Sequence, residues 1–411
     1  MIRKSLLLIT PLAATTALLA FRAQRPMACD AENAGLSVPT GYCATLFAEV
    51  RGARHVAVAP NGDVFVATHA RGDSGGVVAL RDRDNDGHAD TTAKFGSVSG
   101  TGVALTTDAL YFAPADRVIR YSWKSGSLTP AGEGTVIVNG MPTGGHTAKT
   151  IAIGRAGDLY VDHGSAGNVC LERGMAAKSQ GPRPCPELTT RAGIWRYDAR
   201  KSNQTPADGE RWVTGLRNGM AIAVEPQTGL LWGATHGRDN LAAWGFSPED
   251  NAEKPAEEFG PLSKGADYGW PYCYYDPIAK KKMQAPEYGG DGVTAGECAA
   301  KTQPAIAFPG HWAPLQLSFN TGAGFGAAYR GGAFLAFRGS WNRAPLPQAG
   351  HRIVYIPFTK GKATGAYSTF ANGNGADIKF SGVAMRPDGS AMYISSDQLG
   401  KVWRIIPNTG R

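Results

Sequence analysis

Residues 55–82 read HVAVAPNGDVFVATHARGDSGGVVALRD. Three short apolar runs are separated by a Pro-Asn-Gly turn and a glycine-rich connection. Proline presets φ at one turn position and glycine tolerates positive φ at another, so "PNG" closes a hairpin. The runs are too short for helices and are bounded by turn residues, which is the pattern of strands. A lone meander of this size leaves both faces open to water and must be covered by neighbours.

The same unit returns along the chain: GVALTTDALYFAPADRVIRYSW (102–123), TIAIGRAGDLYVDHGS (150–165) continuing into AGIWRYD (192–198), and GMAIAVEPQTGLLWGATHGRDNL (219–241). A stretched copy, LQLSFNTGAGFGAAYRGGAFLAFRGS (315–340) with HRIVYIPF (351–358), precedes a last one, SGVAMRPDGSAMYISSDQLGKVWRIIP (381–407). Six units of about four strands predict an all-β fold, a six-bladed β-propeller over 40–407, with blades stacked around an axis. A β-sandwich with coincidental hairpins is the simpler alternative, and the recurrence argues against it. The 54 glycines and the low charged fraction, 18%, agree with many tight turns around a large core.

Two insertions interrupt the units, 166–191 and 247–312. Segments this long inside a compact domain usually carry function. The second holds Tyr268, Trp270, Tyr272, Tyr274 and Tyr275, either a wall of flat faces for a sugar ring or an aromatic cofactor, or a small core beneath the loop. Residues 1–23, with Arg3 and Lys4 ahead of the apolar run Leu6–Phe21, have the layout of a secretory signal peptide. The run is short and broken by Pro11, so no stable membrane insertion is expected, and a periplasmic or secreted location is. Six cysteines then fit disulfides, with sequence proximity favouring Cys29–Cys43, Cys170–Cys185 and Cys273–Cys298. Net charge is +8 and falls to +5 without Arg3, Lys4 and Arg22. No long basic run is present, which argues against nucleic acid as a partner.

Two kinds of site stand out. RDRDNDGHAD (81–90) places Asp82, Asp84, Asp86 and Asp90 at positions 1, 3, 5 and 9 of a calcium loop, with Gly87 at position 6. Position 12 is Ala93, so the bidentate glutamate is missing and a structural ion is the expectation, against an ordinary acidic turn. The second kind is distributed. GGHTAKT (144–150) and GLRNGM (215–220) each precede the first strand of a unit. THGRDNL (235–241) ends the second strand of its unit and FRGSWNR (337–343) ends a strand of the fifth. In a propeller the loops before the innermost strands converge on one end of the axis, so His146, Arg217 and Asn218 are expected to face one depression. Histidine suits proton removal near neutral pH, and arginine with asparagine suits an anionic, oxygen-rich ligand.

Taken in order, GGHTAKT…GDLYVDHGS, GLRNGMAIAV…THGRDNL, DYGWPYC, RGSWNR and DRDNDGHAD resemble the glucose/sorbosone dehydrogenase family, nearest its sorbosone dehydrogenase-like branch. The resemblance covers most of 40–407. It implies a six-bladed propeller and a soluble, exported quinoprotein that uses pyrroloquinoline quinone (PQQ) and Ca²⁺. The implied reaction oxidises a sugar at a C1 hemiacetal or hydrated aldehyde. His146 matches the general base, and Arg217 and Asn218 match the residues that hold the quinone, Arg217 also supporting the reduced form. The carbonyls of Gly237 and Arg238 match the ligands of the Ca²⁺ that grips PQQ. Arg338, Lys379 and Arg54 fall at further basic cofactor contacts, and Lys149 stands where an arginine is frequent. Electrons are expected to leave to an external quinone or cytochrome, since the sequence carries no CxxCH haem motif. Two other classes compete: a Ca²⁺-dependent hydrolase of the lactonase type, and a propeller that binds carbohydrate or protein without catalysis.

Overall fold

The computed structural model describes residues 29–69, 75–171 and 178–408. The expected signal peptide, 1–23, lies outside them. Six four-stranded antiparallel sheets stand around an axis. Blade 1 runs outward from the axis as Ala53–Val58, Val64–Thr68, Gly76–Arg81 and Thr91–Phe95. Blade 2 is Gly100–Leu105, Ala109–Pro114, Val118–Ser122 and Thr135–Val138. Blade 3 is Ile151–Ile153, Asp158–His163, Gly193–Asp198 and Glu210–Thr214. Blade 4 is Ala221–Val224, Leu231–Thr235, Glu257–Pro261 and Ile306–Phe308. Blade 5 is Pro314–Phe319, Ala333–Phe337, Arg352–Ile356 and Ser368–Gly373, with Leu36–Ser37 added outside. Blade 6 takes Phe380–Met385, Met392–Ser396 and Lys401–Pro407 from the end of the chain and its outer strand, Tyr42–Glu49, from the beginning.

That outer strand closes the ring. It pairs with Lys401–Pro407 from Tyr42↔Pro407 to Glu49↔Lys401. The turns work as their residues dictate. At "PNG", Gly62 has φ +94° and donates to the Ala59 carbonyl at 2.9 Å, while Ala59 N–H bonds the Asp63 carbonyl at 2.8 Å. At "PDG", Gly389 has φ +73° and donates to the Arg386 carbonyl at 2.8 Å.

Burial shows why the unit needs neighbours. Val64, Phe65, Val66 and Ala67 are all fully buried. Phe65 and Ala67 pack with Val103, Leu110 and Phe112 of blade 2, and Val64 and Val66 pack with Ala391, Tyr393 and Val402 of blade 6. Side chains alternate across a strand, so each blade seals against two others. At about 1.5–3 kcal/mol for each fully buried large apolar side chain, these contacts are the main favourable term.

The long insertions differ in kind. Residues 164–192 join the second and third strands of blade 3. The segment 247–312, expected as one insertion, contains two blade strands, Glu257–Pro261 and Ile306–Phe308; the extra chain is 236–256 and 262–305. Disulfides pair Cys29–Cys43, Cys170–Cys185 and Cys273–Cys298. Of the five aromatics of 268–275, three are packed into the protein instead of standing over the depression. Tyr268, Trp270 and Tyr274 are buried, Tyr268 against blade 3, Trp270 beside the Cys170–Cys185 disulfide, and Tyr274 beside Met283 and Tyr288.

Candidate functional site

Strand direction alternates within a blade. The connection entering the first strand and the connection between second and third strands therefore open at the same end of the axis. His146, Arg217 and Asn218 lie on connections of the first kind. Ser165, His236, Gly237, Arg238, Asp239, Arg338 and Asp397 lie on connections of the second kind. Arg54 is the second residue of its innermost strand, at the same end.

The His146 loop is fixed from both sides. The ring Nδ1 is 3.0 Å from both the carbonyl oxygen and Oγ of Ser165, and the His146 N–H donates to the same carbonyl at 3.0 Å. Gly164, just before Ser165, fits where nothing larger does: a Cβ there would lie 2.6 Å from the His146 oxygen, 2.7 Å from its Cβ and 3.2 Å from Asn218 Oδ1. His146 and Asn218 are thus brought against one glycine from two blades. Burial first, then the Arg217 charge, push His146 down to about 4.

Arg217, 7% exposed, spans two acceptors. Nη1 donates to the Gly237 carbonyl at 2.9 Å and Nη2 to Asp239 Oδ2 at 2.8 Å. Asp239 Oδ1 is 3.4 Å from His311 Nδ1. Burial opposes its charge, yet the His311 hydrogen bond and the Arg217 guanidinium hold Asp239 down at about 2. Asn168 clasps the Asp239 backbone, accepting from its N–H at 2.8 Å and donating to its carbonyl at 2.9 Å. Under Gly237, Glu257 accepts from the N–H groups of Gly237 (2.9 Å) and Ala313 (3.1 Å), and burial pushes it up to about 7. His236 Nε2 donates to the Pro314 carbonyl at 2.7 Å and its Nδ1 faces Asn218 Nδ2 at 3.4 Å; burial leaves that ring neutral, at about 3.

Across the axis, Asp397 of blade 6 gathers the two other arginines. Arg54 Nη1 reaches Asp397 Oδ2 at 2.8 Å, and Arg338 Nε is 3.1 Å from both carboxylate oxygens. Arg217 Nε, Arg54 Nε and Asn218 Oδ1 are among the buried atoms at this end that have no hydrogen-bond partner. The two arginine Nε donors suit a ligand rich in anionic oxygens, and the Asn218 acceptor suits a ligand N–H or hydroxyl. Lys379 is half-buried just before Phe380 and makes no ion pair among the described residues. Arg238 turns its side chain away, into a buried ion pair with Glu287.

These features have counterparts in known proteins. A family model described as TrAA12-like matches residues 36–408. The chain belongs to the TrAA12-like family. A pyrroloquinoline quinone-dependent sugar dehydrogenase of Hypocrea jecorina is 25% identical over 280 residues, 60% of this chain and 62% of the relative. A pyrroloquinoline quinone-dependent pyranose dehydrogenase of Coprinopsis cinerea is 26% identical over 342 residues, 71% of this chain and 44% of the relative. The chain thus spans less than two thirds of the curated relatives it matches. Among solved structures, a calcium structure of the Trichoderma reesei family AA12 enzyme aligns with TM-score 0.74 at 19% identity, over 91% of this chain and 97% of that one. The holo PQQ domain of the Coprinopsis cinerea pyranose dehydrogenase aligns with TM-score 0.72 at 18% identity, over 90% and 97%. The fold is shared with both.

In this TrAA12-like propeller the acidic loop is a separate feature. It joins the third and fourth strands of blade 1, at the end of the axis opposite His146. Ligand atoms of Asp82, Asp84 and Asp86 lie within 4.8 Å of one another. Asp90 is not part of the group: its carboxylate accepts from the Arg83 N–H at 2.8 Å and the Thr91 hydroxyl at 2.8 Å. Sequence reasoning missed Ser165, His236, Asp239, Glu257, His311 and Asp397. Asp239 and His236 sit inside THGRDNL, a motif whose reading from sequence points only to the carbonyls of Gly237 and Arg238.

Proposed function

We propose that this chain is a PQQ-dependent sugar dehydrogenase oxidising a C1 hemiacetal or hydrated aldehyde. One observation carries the reading. The ring of His146 is neutral, and its Nδ1 is engaged by a carbonyl that can only accept. Nδ1 therefore holds the proton, and the Nε2 lone pair is a base at the mouth where Arg217, Asn218, Arg54 and Arg338 gather.

The residues present fit the quinone. The partnerless donors Arg217 Nε and Arg54 Nε, with Arg338 and Lys379 at the rim, are the groups that would hold its carboxylates and ring oxygens, while the partnerless acceptor Asn218 Oδ1 would take a ligand N–H or a sugar hydroxyl. When bound, PQQ supplies the two-electron acceptor that takes the C1 hydride. His146 Nε2 takes the hydroxyl proton. The Arg217 guanidinium would place its positive charge beside a bound quinone, where it would favour the reduced, more negative form. Ca²⁺ is assigned to the carbonyls of Gly237 and Arg238, with Asp239 and Glu257 supplying nearby carboxyl groups; the Gly237 oxygen has a second lone pair beyond its bond to Arg217. A separate, structural Ca²⁺ is assigned to Asp82, Asp84 and Asp86, with Asp90 outside the ligand set. Electrons then pass to an external quinone or cytochrome. Three disulfides support export to the periplasm or medium. Among the described residues no helix is long and apolar enough to cross a membrane.

The test adds PQQ and Ca²⁺ to the purified chain and follows the bound-quinone spectrum and dye reduction across a panel of aldoses. Both signals are expected. A spectrum without reduction for any aldose, or no spectrum at all, would replace this reading with a binding propeller or a hydrolase.

A further inference from the structure

Lys149 and Asp162 are each 0% exposed, in the floor beneath the mouth. Neither side chain reaches the depression, and the chemistry above uses neither. Their contacts run to the two loops that carry it. Lys149 Nζ donates to the Thr147 carbonyl at 3.0 Å, one residue from His146. Asp162 Oδ1 accepts from the Gly219 N–H at 3.0 Å, one residue from Asn218. The Asp162 N–H also bonds the Thr150 carbonyl at 3.2 Å, tying the second strand of blade 3 to the residue after Lys149. Asp162 Oδ2 is buried without a hydrogen-bond partner.

Burial drives Lys149 down and Asp162 up, and each is the largest opposing influence on the other. Arg191 and Asp116 also act on the lysine, and His163, held neutral by burial, lies beside it. Taking two charges out of water costs several kcal/mol each, and an apolar pair of similar volume would often stabilise the fold as well or better. Stability alone is therefore a poor reason for this pair. Its contacts supply another: Asp162 holds Thr150 through its N–H and Gly219 through its carboxylate, and Lys149 holds Thr147, so the two buried residues together reach under both loops.

We propose that Lys149 and Asp162 are positioning residues, a buried strut that sets His146 in register with Arg217 and Asn218. The activity readout rests on the dehydrogenase reading; the structural readout does not. Hydrogen–deuterium exchange of the cofactor-free chain is measured over 142–150 and 215–220 for Lys149→Met, Lys149→Arg and the double variant Lys149→Met/Asp162→Asn. Lys149→Met is expected to speed exchange in both loops by about tenfold, and Lys149→Arg to restore the parent rates. The double variant, with no uncompensated buried charge, is expected to melt within a few degrees of the parent. It should keep the fast exchange and, when loaded, a kcat lowered about tenfold with KM little changed. It also stands in if Lys149→Met does not fold. Faster exchange confined to 142–150, or a kcat in the double variant that recovers along with its melting temperature, overturns the strut. A parent chain that oxidises no aldose would sink the proposed function while the exchange data still decide this inference.

Discussion

His146 Nδ1 lies 3.0 Å from both the carbonyl and the hydroxyl oxygen of Ser165. A carbonyl cannot donate, so this contact selects the Nδ1–H tautomer and leaves Nε2 as the basic atom. The orienting group is neutral, which distinguishes it from a carboxylate that would also stabilise imidazolium. His146→Gln is therefore expected to lower kcat by about 10²–10⁴-fold, the usual worth of a general base, while the bound-quinone spectrum stays. Single-turnover dye reduction on the loaded variant measures it; a kcat within about threefold of the parent would remove His146 from the chemistry.

The same environment predicts pH behaviour. Burial and the Arg217 charge bring His146 to about 4 in the cofactor-free chain. Protonation consumes the lone pair, so the base is present above that value and is lost as pH falls through it. The groups acting on the ring are Ser165, Arg217, Arg191, His236 and Asp239. Ser165→Asp adds a negative charge at Nδ1 and must raise the pKa. An NMR titration of the ring is expected to give about 4 in the parent and a midpoint at least about one unit higher in Ser165→Asp. The acid limb of kcat/KM should move upward with it.

Arg217 is bound by geometry as well as charge. Its fork meets the Gly237 carbonyl and Asp239 at once, and a lysine ammonium offers no fixed fork. Arg217→Lys is expected to weaken quinone binding by at least about tenfold, about 1.4 kcal/mol, with little change in melting temperature. Arg217→Ala leaves the half-buried Asp239 with only His311 opposite. It is expected to lower the melting temperature as well, at a cost below the about 3–5 kcal/mol of breaking a fully buried pair. Quinone titration and thermal melts separate the two effects; equal affinity in Arg217→Lys would show that the fork is not used.

Much of this arrangement is legible in the residues, and the failures have a pattern. Turns such as "PNG" and "PDG" announce hairpins because their conformations are local. The outer strand of blade 6 is not announced, because Tyr42–Glu49 finds its partner in Lys401–Pro407 only when the ring closes. Glu257–Pro261 hides because a strand opening with two glutamates reads as a polar loop. Those glutamates are buried, one accepting from Gly237 and Ala313, the other from Lys282. In the site, His146, Arg217 and Asn218 are readable from residue type and place. Ser165, Asp239 and Asp397 are not, since each matters through the residue it holds. Trp270 and its neighbours look like a binding wall and instead pack the insertions against the blades.

The two assigned calcium sites lie at opposite ends of the propeller, so they are separable. The acidic loop leans on the strand that closes the ring: the Thr45 hydroxyl donates to the Gly87 carbonyl at 3.0 Å, the Ala89 N–H bonds the Phe47 carbonyl at 2.8 Å, and His88 Nδ1 lies 2.9 Å from the Leu46 carbonyl. Asp82 is shared with Arg404 at 3.3 Å, so Asp84 and Asp86 are the cleaner positions to change. An ion there would stiffen the clasp between Tyr42–Glu49 and blade 1. Ion binding to the folded state alone adds about 2.7 kcal/mol when free Ca²⁺ is 100 times Kd. Asp84→Asn/Asp86→Asn is therefore expected to lose most of the Ca²⁺-dependent rise in melting temperature seen in the parent. Its turnover per bound quinone should be unchanged, and that activity should still need Ca²⁺, now through the Gly237 end alone. Melting curves with and without chelator, run beside dye-reduction assays on the same samples, decide it. Loss of turnover in this variant at full quinone occupancy would show that the acidic loop serves the site and not the closure of the ring.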